Sequence, residues 1–322
     1  MKHVSANAEL KPAFKERMRL LLAEDFDDFE KIIKNPPRGF IRCNTLKIST
    51  EDLVKRLEKR WKVSQPFKKY PELVLVESEL APGELGNSPE HLWGYYYIQE
   101  VSSMMPVIAL NPEPNELILD LCASPGSKTT QMAAAMGNKG TVVANEINFG
   151  RMKVLCANLE RCGVSNAIVT RNDAVGLCER LAKNGFKFDK ILLDAPCSGE
   201  GTLRSSLAAY TRWNLKVVQG LSRMQKKLLA YALKCLKKGG QIIYSTCTHS
   251  PEENEGVVDF ALKNFPVKIE EVNLPLKFRS GITSWEGNSF NEEVKKCCRI
   301  YPQDGDSEGF FVSKMTLLEE IK

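Results

Sequence analysis

Two cysteines stand out because each follows an apolar, strand-like run and sits in a turn of small residues. Cys197 lies in Asp194-Ala195-Pro196-Cys197-Ser198-Gly199-Glu200-Gly201, after the run Lys190–Leu193. Cys247 lies in Ser245-Thr246-Cys247-Thr248, after the run Gln241–Tyr244. If these runs are neighbouring strands, the thiols meet at the carboxyl edge of the sheet, where α/β folds build their sites. A thiolate is a nucleophile, and a second group beside it can move the proton that the reaction displaces. Methylation of cytosine at carbon 5 needs both. That carbon is a poor nucleophile until sulfur adds at carbon 6, and the sulfur leaves by elimination once the carbon-5 proton is lost. Asp194 is placed to hydrogen-bond the ring nitrogen and amino group of such a base and to stabilise the charge that develops there. Spacing alone does not say which thiol adds and which assists. The other eight cysteines, Cys43, Cys122, Cys156, Cys162, Cys178, Cys235, Cys297 and Cys298, read as inert core thiols.

A second motif supplies a place for a nucleoside-like cofactor. Residues 117–130 read Leu-Ile-Leu-Asp-Leu-Cys-Ala-Ser-Pro-Gly-Ser-Lys-Thr-Thr: a buried strand, a small-residue turn, then a helix. Gly126 allows close backbone approach, and the helix start offers free N–H groups that suit a carboxylate as well as a phosphate. A phosphate-binding P-loop requires glycines where this chain has Cys122 and Ser127, and the Gly-x-Gly-x-x-Gly dinucleotide pattern is missing too. S-adenosyl-L-methionine, which carries adenosine and a carboxylate but no phosphate, remains. Glu146, 20 residues after Gly126 at the end of the next strand, can accept from both ribose hydroxyls. Asp173, ending the third strand, is placed to meet the adenine amino group. Amino-nitrogen methylation of a base is disfavoured, because Asp-Ala-Pro-Cys lacks the aromatic residue that would stack it.

The elements that must position these groups follow from periodicity. Strand-like runs at Leu117–Leu121, Thr141–Ala144, Ala167–Thr170, Lys190–Leu193 and Gln241–Tyr244 alternate with helical segments at Thr129–Met136, Arg151–Arg161 and Leu221–Leu236. The alternation predicts an α/β domain over residues 106–322, doubly wound, with helices on both faces of a parallel sheet. Arg299–Tyr301 and Phe310–Lys314 predict an antiparallel hairpin at its edge. Upstream, residues 11–34 read as one helix stopped by Asn35-Pro36-Pro37, within a helical extension over 1–38. Residues 39–105 read as a small α+β module in which Thr50 caps a basic helix. Ser250-Pro251-Glu252-Glu253 has the form of a capping box that would fix the Cys247 loop, which gives Glu252 and Glu253 no catalytic task.

Net charge is +5, but residues 1–70 carry a local +7 and the rest −2. A polyanion would be drawn to the N-terminal fifth. An unbroken apolar stretch of about 18 residues is missing, so no membrane span is expected. Without a signal-like N-terminus the ten cysteines are expected as thiols in the cytoplasm. Without a Cys-x-x-Cys pair, no metal is expected.

The segments 120–130, 193–201 and 244–255, together with Ile41-Arg42-Cys43-Asn44-Thr45-Leu46, Tyr95-Tyr96-Tyr97-Ile98-Gln99-Glu100 and Gly309-Phe310-Phe311, resemble the Sun-type RNA (cytosine-5)-methyltransferase family (RsmB/NOP). The resemblance covers nearly the whole chain. It implies a Rossmann-like S-adenosylmethionine-dependent methyltransferase domain with an RNA-recognition-like module before it. It ranks the thiols, with Cys247 as nucleophile and Cys197 assisting release. It implies a cofactor pocket formed by Cys122, Ala123, Ser124, Pro125, Gly126, Ser127, Lys128, Glu146, Asp173 and Asp194, braced by Arg151. It makes RNA the expected partner and DNA disfavoured, since DNA enzymes use the Pro-Cys thiol as nucleophile. The short N-terminal extension, and the lack of a further C-terminal RNA-binding part, look like the archaeal tRNA enzymes of the family. An rRNA enzyme is the alternative, and a catalytically idle RNA-binding protein the remaining one.

Overall fold

A computed structural model describes residues 10–206, 209, 211 and 213–321. Residues 1–9 of the expected 1–38 extension thus lie outside the described residues. Four short strands, β1 (Gly39–Cys43), β2 (Val63–Ser64), β3 (Leu73–Val76) and β4 (Tyr96–Ile98), form an antiparallel sheet in the order β2-β3-β1-β4. β3 reads Leu-Val-Leu-Val and is buried throughout, because successive side chains enter different cores. Val74 and Val76 join Ile41, Leu53 and Leu57 beneath the helix Thr50–Leu57, whereas Leu73 and Leu75 pack with Phe40 against the larger domain. Ser49, not Thr50, caps that helix, accepting from the Asp52 amide at 3.1 Å. Thr50 is already helical, with its side chain buried.

The larger sheet is built on five parallel strands in the order β7-β6-β5-β8-β9. These are β5 (Leu117–Asp120), β6 (Thr141–Asn145), β7 (Ala167–Thr170), β8 (Phe188–Asp194) and β9 (Leu236–Thr246). After β10 (Val267–Glu270), β11 (Arg279–Ser280) and a separate two-strand hairpin, β12 (Ser284–Trp285) with β13 (Asn288–Ser289), the chain forms β14 (Cys298–Ile300) and β15 (Phe310–Leu317). β15 runs antiparallel along β9 from Phe311↔Thr246 to Thr316↔Gln241, and β10 and β14 share its other edge. The late hairpin therefore lies on the β9 side of the sheet. Chain direction reverses its lateral course between β5 and β8, the switch point where open α/β sheets leave a crevice.

Three expectations need correction. The segment 11–34 is not one helix: Ala23 (φ 48°) breaks it into Pro12–Leu22 and Phe26–Ile32, joined by one 3₁₀ turn. The break lets Phe14, Met18, Leu22, Phe26 and Phe29 share one cluster with Trp213 and Tyr301 of the larger domain. The helix Ala174–Lys183 between β7 and β8, amphipathic through Leu177 and Cys178, lay between predicted elements. Cys156 is exposed rather than core: it follows the buried Leu155 on the helix Phe149–Cys162, and one residue turns the helix about 100° away.

The small module is fastened to the larger domain by buried polar groups. The Arg42 guanidinium donates to Gln99 Oε1 (3.0 Å), the Ser127 carbonyl (3.2 Å) and Thr130 Oγ1 (2.8 Å), tying β1 to the first turn of the helix Ser127–Ala135. Asn44 donates to the Gly94 and Cys162 carbonyls, both at 2.8 Å. Gly94 is required where the module meets the helix end: a Cβ there would stand 1.9 Å from the Arg161 carbonyl oxygen.

Candidate active site

The parallel register of β8 and β9 runs to Asp194↔Ser245, so Cys197 and Cys247 emerge from adjacent strand ends. Their sulfurs are 3.3 Å apart. Further bonds stitch the two loops together. The Gly201 amide donates to the Cys247 carbonyl at 2.9 Å, and the Ser198 and Thr248 hydroxyls lie 2.7 Å apart. Glu200, 3% exposed, joins the same loops by accepting from Ser250 Oγ (2.6 Å), the His249 amide (3.1 Å) and Trp213 Nε1 (2.6 Å). Both thiols are partly accessible. The hydrogen bond to Cys247 and then burial push the Cys197 thiol well above the usual range. Either sulfur can donate across this contact.

Ser250-Pro251-Glu252-Glu253 does not form a capping box. Residues 251–254 make a turn, and the helix starts at Glu255. The Ser250 hydroxyl is drawn to Glu200, Glu252 pairs with Arg17 at 2.8 Å, and Glu253 reaches the Ser198 amide at 3.0 Å. Asn254 secures the Cys247 loop, accepting from Thr246 Oγ1 at 2.6 Å and donating to the Thr248 carbonyl at 3.0 Å.

Beside the thiols, Asp194 accepts from Lys128 Nζ at 2.7 Å through one oxygen and from Ser245 Oγ at 2.8 Å through the other. Lys128 also donates to Ser103 Oγ at 3.0 Å and lies 5.2 Å from the Phe310 ring centre. This lysine, 7% exposed, thus serves the Asp194 carboxylate more directly than any free anion. The pair borders a cavity of about 300 Å³ lined by Cys122, Ala123, Ser124, Pro125, Ser127, Lys128 and Asp194. Asp120, Ser103 and Tyr97–Glu100, at the end of β4 and just after it, line it too, and the sequence did not mark them as site residues. Asp120 ends β5 at the switch point, the signal that could have found it.

Gly126 lies behind the lining. It caps the helix Ser127–Ala135 at φ 101°, and a Cβ there would meet Leu155 Cδ1 at 3.0 Å. Arg151 braces the loop from outside: its guanidinium donates to the Ser124 carbonyl at 2.8 Å while Ser124 Oγ donates to the Arg151 carbonyl at 2.9 Å. Glu146, 4% exposed at the end of β6, accepts from the Asn148 amide at 2.8 Å. Asp173 is exposed and caps the helix Ala174–Lys183, accepting from the Gly176 amide at 2.8 Å. Glu146, Arg151 and Asp173 do not line the cavity itself. Asn145, also missed, ties three strand ends, with bonds to the Leu121 and Asn172 carbonyls and from the Thr170 hydroxyl.

Burial, only partly offset by the Thr129 hydroxyl, pushes the Asp120 carboxyl up to about 7. An unfolded aspartate ionises near 4. The stability of the neutral form is thus fully present below about 4 and lost as pH rises through about 7. Asp120→Asn, neutral throughout, is expected to melt about 5 °C above the parent at pH 8 and to lose that margin near pH 4. Melting curves across this range check it.

A parallel sheet with a half-open cavity at its switch point, a buried acid ending the second strand, and a small-residue loop opening a helix fits an adenosine-bearing cofactor without phosphates. The fold and pocket are those of an S-adenosylmethionine-dependent methyltransferase. Residues 107–316 match the family described as 16S rRNA methyltransferase RsmB/F, and residues 10–101 match the N-terminal domain of 16S rRNA methyltransferase RsmF. The chain belongs to the RsmB/F methyltransferase family. It is 41% identical over 293 residues to a tRNA (cytosine(49)-C(5))-methyltransferase of Pyrococcus abyssi, covering 91% of this chain and 92% of that one. It is 41% identical over 314 residues to ribosomal RNA small subunit methyltransferase F of Vibrio parahaemolyticus, covering 96% of this chain but only 63% of that longer protein. Among solved structures, a methyltransferase homolog protein from Pyrococcus horikoshii superposes with a TM-score of 0.83 at 34% identity, over 96% of this chain and 95% of that one. NSun6 from the same organism, solved with SFG, gives 0.83 at 25% identity over 97% and 99%. No helix among the described residues is long and apolar enough to cross a membrane.

Proposed function

We propose that this chain methylates carbon 5 of cytosine in RNA, with tRNA as the substrate, in the cytoplasm. The observation that carries the reading is the 3.3 Å thiol pair beside the Lys128–Asp194 pair at the mouth of the cofactor cavity. The P. abyssi relative, matched over nearly its whole length, supports tRNA, and the RsmF relatives support rRNA as the alternative.

The residues divide the work as follows. Cys247 adds through sulfur to carbon 6 and turns carbon 5 into a nucleophile. Asp194, fixed by Lys128 and Ser245, hydrogen-bonds the base edge and stabilises the charge that addition sends into the ring. S-adenosylmethionine, when bound, supplies the methyl group on its sulfonium. Cys197 then removes the carbon-5 proton, and the Cys247 sulfur leaves by elimination. The 122–128 loop holds the methionine part of the cofactor. Glu146 accepts from the ribose, Asp173 meets the adenine edge, and Arg151 keeps the loop in place.

Gly126→Ala forces a side chain into a left-handed position against Leu155, at a strain of about 1–2 kcal/mol. It is expected to weaken S-adenosylmethionine binding about 10-fold by calorimetry. Substrate identity is tested by bisulfite sequencing of tRNA and rRNA from cells with and without the gene. Loss of 5-methylcytosine from tRNA positions is expected, and loss confined to rRNA would replace this reading by its alternative.

A further inference from the structure

Glu253 is a fully buried carboxylate for which the reaction as drawn has no task. It stands in the turn after Cys247, but its side chain crosses to the other thiol loop. Oε2 accepts from the Ser198 amide at 3.0 Å and from Gln225 Nε2 at 2.8 Å. The same Gln225 nitrogen donates to the Pro196 carbonyl at 2.9 Å, so the peptides on both sides of Cys197 are held by this one pair. The Tyr244 hydroxyl donates to the Glu253 carbonyl at 2.5 Å and fixes its backbone. Side-chain exposure is nil, and neither Glu253 Oε1 nor Gln225 Oε1 has a hydrogen-bond partner among the described residues. The bonds made by Nε2 fix the orientation of the amide, so both bare atoms are acceptors. Two buried acceptors without a donor leave the pair one proton short.

Burial raises the Glu253 carboxyl to about 7, and the charge of Glu200 adds to the effect, while Ser198 and Gln225 oppose it. Glu253 in turn helps to hold the Cys197 thiol protonated. A base for the release step is needed only after Cys247 is bound to carbon 6 and can no longer share the Cys197 proton.

We propose that Glu253 is a positioning residue for Cys197, which together with Gln225 holds the peptides on both sides of the thiol in the orientation that release needs. The inference rests on the RNA cytosine-5 reading above. Once Cys247 is bound to carbon 6, the Cys197 proton passes to solvent, to which this thiol is partly open. The Cys197 thiolate takes the proton from carbon 5, the electron pair of that C–H bond forms the 5,6 double bond, and the Cys247–carbon 6 bond breaks to free a thiolate. Cys197 is again a thiol.

Glu253→Gln keeps an oxygen to accept from Ser198 but cannot ionise, so the hold on the Cys197 loop no longer changes with pH. In rapid-quench assays with S-adenosylmethionine and unmodified tRNA, the variant is expected to transfer one methyl group per enzyme. It then turns over at least ~10-fold more slowly, accumulates the covalent protein–RNA species on denaturing gels, and loses the step near pH 7 in the release rate. Glu253→Asp is expected to restore part of that step. Release with the parent's rate and pH profile overturns the inference. So does a variant that loses melting temperature, methyl transfer and adduct together, for that marks a purely structural residue. A parent protein with neither methyl transfer nor adduct overturns the cytosine-5 reading itself, and this inference with it.

Discussion

Cys247→Ala is expected to abolish methyl transfer, with a fall of at least ~10³-fold in single-turnover rate. Carbon 5 of cytosine has no nucleophilic character until carbon 6 carries the sulfur, and no neighbouring group replaces that sulfur. Cys197 is 3.3 Å away, but its thiol is pushed well above the usual range by the bond to Cys247 and by burial. Little else should change. The strand end is fixed by Thr246 and Asn254, and the loop by the Cys247 backbone carbonyl, neither of which the substitution removes. Cofactor affinity and melting temperature are therefore expected to stay near those of the parent. A radiolabelled methyl-transfer assay, with calorimetry for the cofactor, separates this outcome from general damage.

Cys197→Ala is expected to give the opposite phenotype. Addition and methyl transfer proceed, but the adduct cannot resolve, so steady-state turnover falls at least ~10²-fold while a methylated protein–RNA complex survives denaturation. This asymmetry follows from the ranking that the family resemblance implies, since the two sulfurs are chemically identical. An untreated gel shift under denaturing conditions, with labelled tRNA, checks it. A silent Cys197→Ala together with an active Cys247→Ala would overturn the thiol assignment.

The thiol pair was legible in the sequence because each cysteine follows an apolar run and parallel strands bring their ends together. The register Asp194↔Ser245 is the physical form of that argument. What periodicity could not give is the set of contacts made across elements far apart in the chain. Nothing local to Tyr97–Glu100 says that a strand of the small module closes the cofactor cavity, 20 or more residues before the loop it faces. The Ser250–Glu253 pattern misled because a capping box is a local solution. Here Glu200 and Ser198, about 50 residues away, offer those side chains buried partners that a helix N-terminus in solvent would not. Lys128 lines the cavity, but its charge is spent on Asp194, a partner 66 residues on. The break at Ala23 escaped for a similar reason: the apolar spacing continues through it, and only the shared packing against Trp213 and Tyr301 demands a new phase.

The central claim is a covalent bond between Cys247 and the target base. Cytosine carrying fluorine at carbon 5 has no proton there to lose, so an enzyme that adds sulfur at carbon 6 and transfers a methyl group is trapped. Incubating the parent protein with S-adenosylmethionine and tRNA that contains 5-fluorocytidine, then digesting it and sequencing the modified peptide by mass spectrometry, reads the bond directly. The expected result is a methylated fluoropyrimidine on the peptide containing Cys247, with Cys197 unmodified. A nucleotide attached to Cys197, or methyl transfer with no attached nucleotide at all, would contradict the account.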